Sequence, residues 1–409
     1  MPEVAAAELP VRLQPVLPLA EALGGGNGRL ERPFPLDQPR LLLTFSGTAA
    51  LHQAFRSLNL PRGSTVLCPS YNCGHEIEPL VRQGLRVRCY RVGRDLQADL
   101  DDVERRVDAS VRALMVTHYF GFAQPLPELR ALCDRHGIRL IEDCAHALLS
   151  DDSYGTMGRV GDVSVYSMRK TLPLPHGGAV LFNDPALAAP VRLAPPPALS
   201  TWLKALALAR KAAVDRARTR RSGLDLLALA AMAPLVAGSQ LLERVYPGSA
   251  TACYDPDDDD FGFDSAVLGW GMAPYCEGLL DRLDWRPLAE RRRHHYRVLA
   301  DGLREIAGCE LPLPEAESHT CPLFLPVLVD RRTEVFHHLI RERVYAAVWW
   351  DQRHPAVDWS EFPEAVDLKE RVLALPVHQD MDDEQLARVL AVLRGCPALR
   401  PSTPLVETR

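Results

Sequence analysis

One stretch of this 409-residue chain constrains its fold more than any other: residues 140–180, LIEDCAHALLSDDSYGTMGRVGDVSVYSMRKTLPLPHGGAV. An apolar run over 138–141 ends on two acids, Glu142 and Asp143. A Gly-rich loop follows, then a second apolar run over 163–166, then Ser167, Lys170 and the pair Gly177-Gly178. Short apolar runs bounded by glycine and polar residues read as buried strands. In open α/β sheets, ligands sit beyond the carboxyl ends of the strands, which is where Asp143 and Lys170 fall. A carboxylate there can hold a heteroaromatic nitrogen protonated, and a lysine amine can form an imine with an aldehyde. Together they describe a site for pyridoxal 5'-phosphate (PLP). Taken singly, Asp143 is a turn or helix cap, Lys170 a solvated charge and Gly177-Gly178 a turn. The ordered set, with the features upstream of it, carries the reading.

Upstream, residues 41–45 read as a short buried strand. Ser46, Gly47 and Thr48 then open a helix over 49–55. A small-residue turn at a helix start is an anion site, because free N–H groups and the helix dipole both favour a phosphate there. A plain N-cap by Ser46 or Thr48 has the same appearance in sequence. Strands are expected over 65–68, 87–90 and 113–117. Helices are expected over 74–83 and 127–136, the second closed by Gly137. This alternation predicts an α/β fold, a mostly parallel sheet with helices on both faces, followed by a smaller α+β C-terminal domain. In that domain a strand over 323–329 is placed at an edge by Pro326, and a second strand over 372–375 precedes a last helix over 383–393.

SGTAAL (46–51), CPSYN (68–72), HYFG (118–121), LIEDCAHA (140–147), Gly161-Asp162, Lys170 and GGAV (177–180) stand in one order, with LDWRPLAERRRHHYRVLADGL (283–303) and LKERVLALPVH (368–378) after them. In this the chain resembles the DegT/StrS aminotransferase family over about 40–190 and 265–395. The resemblance implies the PLP fold type I large domain. It implies that Lys170 carries the cofactor, that Asp143 partners its ring nitrogen and that His146 lies near its ring hydroxyl. Ser167, Thr48 and the amides of Gly47 and Ala49 would hold its phosphate. It further implies a homodimer, an amino-acid donor and a keto substrate, in many members on a nucleotide-linked sugar of polysaccharide or secondary-metabolite biosynthesis. Lys170 disfavours the dehydratase branch, which has histidine there. Three departures stand out. The interval from Asp162 to Lys170 is two residues short. Cys73 occupies the place of an aromatic that Tyr71 could replace. The family's G-x-N-x-R-M segment recurs over 267–272 without its asparagine.

The net charge of −6 offers no basic footprint for nucleic acid. The ten cysteines include no C-x-x-C pair, so no metal site is expected and the thiols read as reduced and cytoplasmic. His294-His295 and His337-His338 are taken as surface residues. The expected domains are an irregular arm over 1–40, a PLP-binding large domain over 41–200, a helical insertion or lid over 201–262, a small C-terminal domain over 263–396, and a disordered tail over 397–409. The insertion pairs a basic helix over 201–221 with an uncharged run over 226–242, too short and too broken by Pro234 and Gly238 to span a bilayer. We read it as a flap on the dimer or the active site rather than a membrane-surface element. The run 257–260 reads as a solvated acidic loop. Ser167-x-x-Lys170 also matches an acyl-enzyme pair, but S-D-N and K-T-G are absent. A non-catalytic PLP-binding sensor on the same fold is the other alternative.

Overall fold

Six strands that run one way and one that runs against them build the main sheet. The computed structural model describes residues 10–24, 28, 30–187, 192–220 and 265–399. The strands are β1 (Leu41–Thr44), β2 (Thr65–Pro69), β3 (Arg86–Tyr90), β4 (Val111–Thr117), β5 (Arg139–Asp143), β6 (Val163–Ser167) and β7 (Gly178–Phe182). Their order is β1-β7-β6-β5-β4-β2-β3. Neighbours from β3 to β6 pair in parallel, and β7 is antiparallel to both β6 and β1. The five inner strands, β2, β4, β5, β6 and β7, are the largely buried strands of a sheet covered on both faces. β1 corrects the expectation of a buried strand: as an edge it leaves Leu41, Leu42 and Leu43 half-exposed.

The helices follow the same chain logic. After the short α1 (Leu19–Ala22) come α2 (Gly47–Ser57), α3 (Gly74–Arg82), α4 (Leu100–Arg106) and α5 (Leu126–His136). Gly137 closes α5 at φ 62°, the left-handed C-cap that glycine adopts most easily. The one-turn α6 (Met168–Thr171) lies between β6 and β7, and α7 (Ala198–Arg220) follows the sheet. None of the described helices is long and apolar enough to cross a membrane. The uncharged run 226–242 and the acidic run 257–260 lie outside the described residues.

Beyond residue 265 come α8 (Pro274–Leu280), α9 (Arg286–Arg304), α10 (Arg332–Arg341), α11 (Pro363–Arg371) and α12 (Asp383–Gly395). They pack with a three-stranded antiparallel sheet, β8 (Phe324–Leu328), β10 (Val372–Pro376) and β9 (Ala347–Val348), in that order. Pro326 is therefore on an edge strand. One apolar core runs from Val116 and Phe120 of the large sheet region to Phe324 and Leu375 of the small one. Two readings need correction. Adjacent helical side chains diverge, so one of each histidine pair turns inward. His295 is buried and its Nδ1–H donates to the His378 carbonyl at 3.0 Å, and half-buried His338 donates to Val392 O at 3.1 Å. The order also continues past residue 396: Arg331 donates to the Pro397 and Ala398 carbonyls, and Leu399 is buried in a short 3-10 turn.

Two interior cations fasten the second half of the chain to the first. Arg292 of α9 donates to the carbonyls of Pro322 and Leu323, to Gln379 Oε1 at 3.0 Å, and to Thr171 O at 2.8 Å. Lys369 of α11 donates to three carbonyls, Asn72 at 2.6 Å, Trp350 at 2.9 Å and Gln352 at 2.8 Å. Burial pushes the Lys369 pKa down to about 8. A buried acceptor left without a donor costs about 1–3 kcal/mol. Lys369→Met is therefore expected to lower the unfolding free energy by about 3 kcal/mol, which urea denaturation followed by far-UV dichroism would measure.

Candidate active site

The reversal at β7 decides where the chemistry can sit. β6 ends at Ser167 on the carboxyl edge, and the chain turns back through α6 at that edge, so Lys170 stays there. Asp143 ends β5, the parallel neighbour of β6, and α2 opens just past the end of β1. The turn past β1 must lie close on β7: a Cβ at Gly178 would run into the backbone of Ser46, so only glycine fits. α2 also abuts the end of β6, where a Cβ at Gly47 would lie 2.9 Å from the Ser167 Cβ. The expected site residues Gly47, Thr48, Ser167, Lys170 and Asp143 thus share one edge.

Their local chemistry separates them. Asp143 is 3% exposed, and one oxygen accepts the Ala145 N–H at 2.8 Å. Burial raises its pKa, with the Lys170 charge pulling the other way. The Lys170 pKa is lowered by burial, against the attraction of Cys73, Asp143 and Glu76. Its amine lies 5.8 Å from the Trp349 ring centre and 6.0 Å from that of Trp350. His146 is buried between Phe120 and the two tryptophans. Its Nδ1 accepts the Phe120 N–H at 3.4 Å, which leaves Nε2 buried without a partner. Burial and the Lys170 charge hold its pKa well below that of an ordinary imidazole.

At the start of α2, Ser46 is the N-cap and accepts the Ala49 N–H at 3.1 Å. The Ala49 amide is therefore engaged by the cap in this structure. Gly47 and Thr48, in the first turn, have no intrahelical acceptor by position. Ser167 does not use its side chain to cap α6. Tyr71 is fully buried, its hydroxyl donating to Trp349 O at 3.1 Å and its ring beside Tyr119 and Trp350. The segment over 267–272 packs behind α2, with Gln53 Nε2 donating to Leu268 O at 2.8 Å.

The neighbouring acid Glu142 does a different job. Its two oxygens accept from His118 Nε2 and from the amides of Gly158, Val160 and Gly161 at 2.6–3.0 Å. His118, Glu142 and Cys144 place their ligand atoms within 4.8 Å of one another. Four donors already saturate the carboxylate, so the cluster locks the loop over 158–161. Sequence reasoning passed over Glu76, Trp349, Trp350 and Lys369. The adjacent Trp349-Trp350 and a glutamate three residues past Cys73 were visible signals, but only the fold brings them to Lys170.

An α/β protein with its reactive groups on the carboxyl edge of a mostly parallel sheet belongs to the class whose ligands bind at strand ends. The comparisons make this specific. The chain belongs to the DegT/DnrJ/EryC1/StrS aminotransferase family, whose model matches residues 37–218 and 278–394. It is similar to the GDP-perosamine synthase of Vibrio cholerae, 36% identical over 142 residues, which are 34% of this chain and 39% of that one. A longer match, 24% identical over 366 residues, covers 87% of this chain and 83% of the dTDP-4-dehydro-2,3,6-trideoxy-D-glucose 4-aminotransferase of Saccharopolyspora spinosa. In fold it is similar to Spr1654 of Streptococcus pneumoniae in its PLP form, with a TM-score of 0.64 and 14% identity over 95% of this chain and 98% of that one.

The residues present fit such a cofactor: an amine for the aldehyde, a carboxylate at the same edge, a partnerless imidazole nitrogen, and helix-start amides beside a hydroxyl. Gly47→Ala would push α2 off Ser167. It is expected to weaken PLP binding by about tenfold, about 1.4 kcal/mol, which an absorbance titration of cofactor into protein would read.

Proposed function

We propose that this chain is a PLP-dependent aminotransferase that moves an amino group from an amino-acid donor to a keto group on a nucleotide-linked sugar, in polysaccharide or secondary-metabolite biosynthesis. The observation that carries this reading is the placing of Lys170 and Asp143 on one edge, beside the start of α2. The names of the two relatives given above, both of which denote nucleotide-sugar chemistry, support the substrate class. When bound, the cofactor supplies an aldehyde for an imine and a ring that accepts electrons from the donor's α-carbon.

The chain's own residues have distinct tasks. The Lys170 amine, its pKa lowered by burial, would hold the cofactor at its aldehyde and would move a proton at the reacting carbon. Asp143 holds the proton on the ring nitrogen. The added cation there offsets the burial that raises this carboxyl group's pKa. His146, held neutral, offers Nε2 to the ring hydroxyl. The amides of Gly47 and Thr48, with the Ser167 hydroxyl, take the phosphate. Tyr71 acts from behind, by fixing the Trp349 backbone.

The larger assembly follows the same reading: a PLP-binding domain over 41–200, a lid over 201–262 and a small domain over 263–396. A cytoplasmic homodimer has its site at the seam, and contact with a membrane surface through 201–245 is the less favoured alternative. An active monomer in sedimentation at assay concentration would contradict the dimer.

The purified protein is expected to be yellow, and borohydride should fix the cofactor on Lys170 by peptide mapping. Lys170→Ala should bind PLP and lose transamination. Asp143→Asn should lower kcat by about a hundredfold or more, the scale of one preorganised electrostatic group, with a smaller change in cofactor affinity. An adduct on another lysine, or near-normal turnover of Asp143→Asn, would overturn these assignments.

A further inference from the structure

Two adjacent indoles stand over the Lys170 amine, and the proposed reaction leaves both without a task. Trp349 and Trp350 directly follow β9. Their ring centres lie 5.8 and 6.0 Å from the Lys170 nitrogen. Main-chain bonds hold the pair in place. The Trp349 carbonyl accepts from the Tyr71 hydroxyl at 3.1 Å, and the Trp350 carbonyl accepts from the Lys369 amine at 2.9 Å. Trp350 has φ 55°. That left-handed conformation is an outlier for so bulky a side chain, and it persists only where the surroundings impose it. Strain of this kind collects at ligand clamps.

The polar atoms of these rings show what such a clamp would grip. Trp349 Nε1 is buried without a hydrogen-bond partner, and so is Nε2 of His146. The two rings meet edge to face with centres 5.3 Å apart, and the His146 ring centre is 4.8 Å from that of Trp350. Both orphaned atoms are donors. An indole nitrogen can only donate. His146 Nδ1 accepts the Phe120 N–H at 3.4 Å, so the proton of the neutral imidazole sits on Nε2. The rings of Phe120 and Phe324, 5.7 and 5.0 Å from Trp349, add walls that carry no acceptor. Two buried N–H groups left unpaired are costly. An oxygen brought by a ligand would satisfy them, and an ionised oxygen would do so most strongly.

PLP carries such an oxygen, because its ring hydroxyl is attached next to the aldehyde that Lys170 would take. We propose that Trp349 is a cofactor-binding residue whose indole N–H donates, beside His146, to that ring oxygen. This rests on the assignment of Lys170 as the cofactor lysine. No proton leaves the indole. A second donor favours the ionised oxygen and so keeps the shared proton on the imine nitrogen, the arrangement that colours such an enzyme yellow. With the proton on the oxygen instead, absorption moves to the near ultraviolet. The carboxylate of the amino-acid donor is the other source of an oxygen close to the amine. It arrives only with the donor, whereas the ring oxygen is present in the resting holoenzyme.

Trp349→Phe keeps an aromatic ring and removes the N–H. In the holoenzyme at neutral pH, with no amino acid added, its ratio of yellow to near-ultraviolet absorption should fall about tenfold, the scale of one hydrogen bond to a charged group. By equilibrium dialysis PLP should bind Trp349→Phe about tenfold more weakly. The 3-deoxy analogue of PLP, which lacks the ring oxygen, should bind parent and variant alike. Equal spectra of parent and Trp349→Phe would overturn the proposal. An equal loss of affinity for PLP and its analogue would also overturn it, since packing alone weakens both. A difference that emerges only after L-glutamate is added assigns the N–H to the donor's carboxylate and overturns it too. If Trp349→Phe holds neither ligand, indole N–H nuclear magnetic resonance spectra of Trp350→Phe decide. One indole resonance moving downfield with PLP and not with the analogue supports the proposal, and no such resonance overturns it. A parent whose adduct maps away from Lys170 defeats the lysine assignment and this inference with it. A parent labelled on Lys170 that Trp349→Phe matches in colour and affinity defeats this inference alone.

Discussion

Charge buried at the carboxyl edge of the main sheet is the constraint on which the rest of the structure depends. Taking an ammonium or carboxylate out of water is costly unless a partner repays it. This protein has the buried acids Asp143 and Glu76 within electrostatic reach of the half-buried Lys170. Burial raises the pKa of both acids and lowers that of the lysine, so every charge at this edge is held against a cost. The two acids differ in their support: Asp143 has a backbone N–H as donor, and Glu76 has one weakly donating thiol and a buried oxygen without a hydrogen-bond partner. The same low-dielectric setting that makes the cluster costly makes each charge effective on a reacting group.

Holding such a cluster in register is the work of the framework. The saturated carboxylate of Glu142 ties down the loop between β5 and β6, so the strand that carries Asp143 and the strand that leads into the helix of Lys170 keep their spacing. Gly178 lets the β1–α2 turn lie on β7. Lys369 holds the backbone at Asn72, just before Cys73, and at Trp350, whose φ of 55° places it in the left-handed region. These contacts involve main-chain atoms, whose positions depend little on rotamer choice, and so they fix the site rather than merely touch it.

Much of this was legible in the sequence, and the limits have physical causes. The alternation of apolar runs and helical spacings gave the parallel sheet, and the acid and lysine at strand ends gave the site edge, because both signals are local and periodic. The edge position of Pro326 was readable for the same reason. Which strand lies at the rim of the main sheet was not: β1 looks as apolar as a central strand, and only the reversed β7 puts it outside. That Ser46 caps the Ala49 amide was not readable either, since Ser46 and Thr48 look equally able to cap the helix in sequence. His295 was missed because its partner, His378, lies 83 positions away, and no local pattern encodes a long-range partner.

The bond from Arg292 to the Thr171 carbonyl has a consequence for the order in which the molecule comes into being. The carbonyl next to Lys170 is held by a guanidinium whose own bracing comes from Pro322, Leu323 and Gln379. A nascent chain that has emerged only through β7 has its main-sheet strands but lacks that brace. The Thr171 carbonyl finds this brace only once residues 292–379 have been made, so the loop that carries Lys170 is the part of the large domain whose seating depends on the later half of the chain.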